Sequence, residues 1–222
     1  MTLLLQAGTN IKNRVNGTNH TNMHEIIEIK IDGNGIDCPV TSAFLKALKL
    51  KGEDLYRHAM QVGLIAEQIG ISLGFNHQKI KLLKISGFLH DVGKLAIRND
   101  ILFKPSSPDE HEWEQIRLHP ELGATALQDF HGFEAVSKII LHHHEDDSGS
   151  GYPCGLKGEA IPYESKLIRI CDVFSAVTSE RPYKPSYPAK LAIAMSMGSV
   201  KFDRDDGIAI ERVLAQISVR KG

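Results

Sequence analysis

The mostly apolar run Leu82-Leu83-Lys84-Ile85-Ser86-Gly87-Phe88-Leu89 delivers the chain into His90-Asp91-Val92-Gly93-Lys94, and that junction constrains the fold more than any other stretch. A run of this kind has to be buried, so the imidazole and carboxylate that follow are carried to the mouth of a buried helix. There they can seat a metal ion, with the lysine placed to steer an anion toward it. A fold built on this junction must bring further donors to the same place.

The rest of the sequence supplies helices to do so. Before residue 41 the pattern is mixed. Residues 6–23 are polar and Asn-rich and read as a flexible leader, while His24 to Ile31 partly alternates and is followed by Asp32-Gly33-Asn34-Gly35 and Ile36 to Val40, the signature of a small β-hairpin. From Thr41 the spacing turns helical and stays so. Leu55, Val62, Ile65, Ala66, Ile69 and Leu73 form a long stripe that Gly74 terminates, and a third helix starts near Asn76. Ser107-Pro108-Asp109-Glu110 has the chemistry of a helix start, with Ser107 as the cap. That helix must stop or kink near His119, because Pro120 follows. Further stripes run through Phe133 to His143, Leu167 to Val177, Ala189 to Met197 and Ile208 to Ile217. The expectation is one all-α domain over 41–222, with residues 1–40 as an appendage of leader and hairpin. The exposed edges of such a hairpin would favour self-association as a homodimer.

Composition narrows the function classes. At 222 residues and 42% hydrophobic the chain can bury a core without staples. A formal net charge of −1 does not give the broad basic footprint that duplex nucleic acid requires. Cys38, Cys154 and Cys171 are an odd number without a C-x-x-C pair, which points to a reducing compartment, the cytosol, and away from a disulfide framework or a thiolate zinc site. No apolar run approaches the ~20 residues that span a bilayer, and Met1 to Leu5 is too short for a signal peptide.

Four other stretches place histidine or aspartate where a helical core has no need of them. His58 lies on the long second helix with Asp54 at i−4 on the same face, and His119 sits at a helix break. In His142-His143-His144, at a helix end, at least two rings can point the same way. Asp172 lies inside an apolar helix, where Arg169 offers an ordinary salt-bridge partner. Singly, each has a structural explanation as a cap or a surface residue. Together they supply one set of donors per successive helix, which is how a bundle converges side chains on a metal. A buried carboxylate such as Asp172 needs a cation or a hydrogen-bonded partner to offset its desolvation.

From His58 to Asp203, about two thirds of the chain, the sequence resembles the HD-GYP branch of the HD phosphohydrolase superfamily. The matching stretches are His90-Asp91-Val92-Gly93-Lys94, His119-Pro120-Glu121-Leu122-Gly123, His143-His144-Glu145, Gly149 to Leu156, Ile161-Pro162, Arg169 to Phe174 and Thr178-Ser179-Glu180-Arg181-Pro182-Tyr183. The resemblance implies a helical bundle with two or three divalent ions, iron or manganese, that hydrolyses cyclic di-GMP to the linear dinucleotide pGpG and, in some members, onward to GMP. It implies His58, His90, Asp91, His119, His143, His144 and Asp172 as ligands, with Asp91 bridging and Lys94 beside the reacting phosphate. Tyr152 would stack on guanine, and Arg181 and Lys184 would grip phosphate.

Two departures qualify it. Asp54 stands where some members place a third-metal glutamate, and Ser148 stands where an aspartate is usual before Gly149. The intact ligand set favours an enzyme. The alternative is a catalytically weak module that binds nucleotide or a signalling protein partner, for which Ser148 is the foothold. A generic phosphohydrolase of another nucleotide is disfavoured by Gly151-Tyr152-Pro153.

Overall fold

A computed structural model describes residues 38–179 and 187–219, and every regular element among them is helical. In chain order these are α1 (Pro39–Lys51), α2 (Glu53–Ser72), α3 (His77–Leu89), a 3-10 turn (Val92–Ala96) and the short α4 (Asn99–Leu102). Then come α5 (Glu110–Arg117), α6 (His119–Gln128), α7 (Glu134–Leu141), a second 3-10 turn (Gly158–Ala160), α8 (Tyr163–Thr178), α9 (Ala189–Met197) and α10 (Arg204–Val219). The hairpin expected near residues 24–40 lies outside the described residues, except at its last arm. There Pro39 and Val40 open α1 instead, because proline's fixed φ suits the first turn of a helix. No described helix is long and apolar enough to cross a membrane.

Local chemistry sets most boundaries as the sequence predicts. Asn76 caps α3 by accepting from the Lys79 amide at 2.9 Å, and Gly74 turns the chain after α2 at φ +69°. Pro120 falls in the first turn of α6, so the expected break becomes the one-residue joint Leu118 between α5 and α6. The start of α5 is different from expectation. Asp109, not Ser107, is the cap, and it forms a reciprocal capping box with Glu112. Lys104 Nζ, 2.6 Å from the Glu112 carboxylate, anchors that box to the preceding loop. Asp109→Ala should therefore cost about 1 kcal/mol in denaturant unfolding, whereas Ser107→Ala should be neutral within about 0.5 kcal/mol.

Two buried clusters divide the bundle. One joins α2 (Val62, Ile65, Ile69) to α8 (Leu167, Ile170, Phe174) and to α10 (Ile210, Leu214). The other joins α1 (Leu45, Leu48) to the start of α2 (Tyr56, Met60), the end of α3 (Phe88, Leu89) and α6–α7 (Leu127, Ile140). Each such side chain contributes roughly 1.5–3 kcal/mol on burial. Helix α2 takes part in both clusters, so His58 is carried between them. The backbones of α2 and α3 meet at Gly63 and Gly87, where a Cβ on Gly87 would lie 2.7 Å from Gly63 Cα. That close approach fixes α3 against α2 and places the His90 ring 5.2 Å from the His58 ring.

Candidate metal centre

Three helix ends orient three histidines by one device. His90 Nδ1 donates to Gly87 O at 2.8 Å, His119 Nδ1 to Ile116 O at 2.7 Å and His143 Nδ1 to Ile140 O at 2.5 Å, in each case a carbonyl three residues earlier. Carbonyls in the last turn of a helix lack intrahelical partners, so they are free to accept. Fixing the proton on Nδ1 leaves the Nε2 lone pair directed away from the helix. His58 is held by side chains instead. Its Nδ1 lies 3.0 Å from Ser175 Oγ, which itself donates to Gln61, and its Nε2 lies 2.9 Å from Asp172 Oδ1. Asp172 and Ser175 are one turn apart on α8, so one helix face grips both edges of the ring.

These groups converge on Asp91, which is 1% exposed. Its Oδ2 lies 3.4 Å from His90 Nε2 and 3.9 Å from His58 Nε2, and its Oδ1 lies 3.3 Å from His119 Nε2. On the Oδ2 side stand His58, His90 and Asp172, whose donor atoms lie within 4.8 Å of one another. On the other stand His119, His143 and His144, equally close, with 3.4 Å between the first two Nε2 atoms. Donors sharing an ion at ~2.1 Å lie roughly 3.0–3.4 Å apart, so the spacing suits two adjacent cations. The buried polar atoms agree: His90 Nε2 and Asp91 Oδ1 have no hydrogen-bond partner. Mixed imidazole and carboxylate donors without sulfur suit divalent transition metals.

The electrostatics match that use. Burial pushes the His119 imidazole down to about 4 and that of His144 to about 3, and holds His143 well below its usual value, so all three present lone pairs at neutral pH. Burial raises the Asp91 carboxyl, but the Lys94 ammonium and the His90 imidazole outweigh it and keep it ionised. For Asp172 the His58 hydrogen bond similarly overcomes burial. Lys94 Nζ donates to Asp91 Oδ2 at 2.7 Å from the 3-10 turn, which sets a positive charge at the rim of the centre.

The loop after α7 closes over the second donor set. Tyr152 returns its N–H to His144 O at 3.2 Å and stacks its ring on His144 at 4.8 Å, with the Arg117 guanidinium 5.9 Å from the ring centre. The ring expected to stack on guanine thus packs one of its faces on a histidine of the centre itself. Gly151 is needed for this return, because a Cβ there would meet Glu145 Cα and His144 O at 2.5 Å. Glu145 is fully buried and accepts from the Cys154 and Leu156 amides at 2.7 and 3.0 Å, a role the sequence reading missed. An acid placed between histidines and a Gly-rich loop, with no neighbouring cation, was the available signal.

Asp146 organises the turn at Ser148. Burial raises its carboxyl, but bonds from the amides and hydroxyls of Ser148 and Ser150 bring it down to about 2. Ser148 thus donates into an ordered turn through both its amide and its hydroxyl.

Two sequence expectations change, those for Asp54 and for the partner of Asp172. Asp54 is 83% exposed, bonds to Arg57 and joins none of the donor groups among the described residues, so the shared face with His58 does not bring it to the centre. Arg169 donates to Ser199 at 2.8 Å, and Asp172 takes His58 as its partner. His142 turns away from its two neighbours, with Nδ1 3.8 Å from Glu145. Arg181 and Lys184 lie outside the described residues.

Comparison with known proteins bears on the family and the fold. The sequence profile described as "HD domain" matches residues 43–205. The chain is 37% identical over 156 residues to the cyclic di-GMP phosphodiesterase response regulator RpfG of Xanthomonas campestris pv. campestris, covering 69% of this chain and 38% of that protein. It is 36% identical over 154 residues to the 3'3'-cGAMP-specific phosphodiesterase 1 of Vibrio cholerae, covering 68% and 36%. This chain therefore spans less than two fifths of the length of either relative. The crystal structure of the L. monocytogenes phosphodiesterase PgpH HD domain superposes with a TM-score of 0.60 at 18% identity, covering 78% of this chain and 96% of that one, a likeness of fold. With the profile spanning most of the sequence and the His90-Asp91 pair at the heart of its donor cluster, the chain belongs to the HD domain family.

Proposed function

We propose that this chain is a metal-dependent phosphodiesterase that opens cyclic di-GMP to linear pGpG and carries it on to GMP, with two divalent ions, iron or manganese, in the centre. The observation that carries the reading is Asp91, whose two oxygens face two separate donor sets. Divalent ions bound there would supply Lewis acidity toward the phosphodiester and an activated water. His58, His90, Asp91 and Asp172 would hold one, and Asp91, His119, His143 and His144 the other. The exposed, Arg57-bonded Asp54 does not support a third.

The remaining groups position the substrate. Lys94 places its ammonium beside Asp91, where it would attract the scissile phosphate and offset its charge. Tyr152 walls the centre with its ring. Burial beside Asp172 and Asp91 raises its phenol, so the hydroxyl stays a donor to phosphate at neutral pH. Arg181 and Lys184 would grip the second phosphate. The free cysteines support a reducing, cytosolic setting. Signalling partners and a homodimer belong to the same reading.

The test is incubation of anaerobically purified protein, loaded with iron or manganese, with cyclic di-GMP, 3'3'-cGAMP and cyclic di-AMP in parallel, followed by chromatography. Linear pGpG from cyclic di-GMP is the expected product. Faster opening of 3'3'-cGAMP would reassign the substrate, and no linear product under any metal would favour the catalytically weak regulator. For the grip, Arg181→Ala should raise KM roughly tenfold or more, the equivalent of one charge-assisted hydrogen bond, with metal content unchanged. An unchanged KM would remove Arg181 from the substrate site.

A further inference from the structure

A second donor group stands just outside the centre, at the base of the Tyr152 loop. His142 Nδ1 is buried and has no hydrogen-bond partner, and Glu145 Oε1 lies 3.8 Å from it. The Cys154 sulfur completes a set in which all three donor atoms lie within 4.8 Å of one another. This set shares no residue with the donor groups around Asp91. Glu145 already accepts two loop amides, one on each oxygen, yet a carboxylate oxygen accepts more than once and Oε1 keeps a lone pair. Cys154 is free and exposed, so an ion can enter from solvent.

We propose that His142, Glu145 and Cys154 form a separate zinc site on the outer edge of the loop, with the fourth tetrahedral position open to water. The donor mix selects the ion. A thiolate beside imidazole and carboxylate suits borderline-soft Zn2+ and disfavours the harder Mg2+ and Mn2+, so the site differs in preference from the sulfur-free centre. Donors on one zinc ion lie roughly 3.3–3.7 Å apart, closer than the bound of this cluster. The exposed Cys154 side chain can close most of that gap by rotating about χ1, and His142 Nδ1 and Glu145 Oε1, 3.8 Å apart, need only a small approach to share the ion. Binding replaces the thiol proton, which leaves to solvent, and forms the Zn–S bond.

The site would act as a clamp on the loop. His142 and Glu145 precede Tyr152 in the chain and Cys154 follows it, so an ion joining them ties both ends of the loop segment together. The tied segment is the one that stacks Tyr152 on His144. Nothing in this inference depends on which nucleotide the centre takes.

Cobalt substitution of the full chain reads the thiolate directly. Wild-type protein with Co2+ should show a near-ultraviolet thiolate-to-cobalt charge-transfer band, which the sulfur-free centre cannot produce. Cys154→Ser should abolish the band and lower bound metal by about one ion per chain, Cys38→Ser should change neither, and His142→Ala should weaken the band. No band in the wild type, a band that survives Cys154→Ser, or one untouched by His142→Ala would overturn the site. A second measurement needs no variant: Zn2+ added to manganese-loaded wild-type protein should protect Cys154 from iodoacetamide, as read by peptide mapping. Unchanged alkylation would refute the proposal even if the variants failed to fold.

Discussion

Asp91→Asn should empty the centre while leaving the helices standing. The isosteric amide keeps the shape of the side chain but removes the charge that both donor sets share, and its nitrogen turns one of the two facing atoms from acceptor into donor. Metal retained after dialysis is expected to be lost, and the proposed hydrolysis of a cyclic dinucleotide to fall on the order of 10³-fold. Stability separates this from unfolding. In metal-free protein the carboxylate is a buried charge with one unpartnered oxygen, so neutralising it relieves desolvation and offsets the lost pairing with Lys94. The metal-free Tm should therefore move little. The wild type should gain Tm when manganese is added, by the linkage that gives ~2.7 kcal/mol at a hundredfold excess over Kd, and the variant should gain none. Full metal content in Asp91→Asn would show that the donor sets do not share this residue.

The donors were legible because their chemistry is conspicuous and their order along the chain survives folding. Each of His58, His90, His119, His143 and Asp172 stands out against an apolar or helix-terminal background, and the structure brings all of them together with His144 and Asp91. Helical spacing could not tell which part of a face reaches the centre. Asp54 shares a face with His58 by the i, i+4 rule, yet it sits in the first turn of α2, where water and Arg57 take its charge. The cap of α5 was illegible for another reason. Ser107 and Asp109 are both competent caps locally, and a contact outside the motif, Lys104 to Glu112, accompanies the choice of Asp109. Glu145 was read as part of a motif without a role, because its partners are backbone amides nine and eleven residues on, and amides leave no mark on sequence. Nor does sequence show that Gly93 is a contact rather than a turn.

Gly93→Ala is the single-methyl change expected to do most damage. A Cβ at this position would lie 1.9 Å from His119 O, 2.8 Å from His119 C and 2.6 Å from Gly123 N. All three are backbone atoms of α6, so no side-chain rotation relieves the clash and a whole element has to move. Overpacking a core by a methyl group typically costs 1–3 kcal/mol, and with rigid partners on the far side the cost should be about 3 kcal/mol or more. The displacement has a chemical readout besides. His119 Nε2 stands 3.3 Å from Asp91 Oδ1 because the 3-10 turn and the start of α6 touch at Gly93, so pushing them apart should open one donor set and lower metal retention. Gly207→Ala is the matching control. It lies in α10 with no atom within 4 Å of an added Cβ, and alanine there should be neutral or stabilise by about 0.5–1 kcal/mol through helix propensity alone. Denaturant unfolding and metal analysis of the two variants side by side decide the matter. Equal stability and equal metal content would mean that the turn and α6 do not meet at Gly93, and the coupling of His119 to Asp91 would then need another cause.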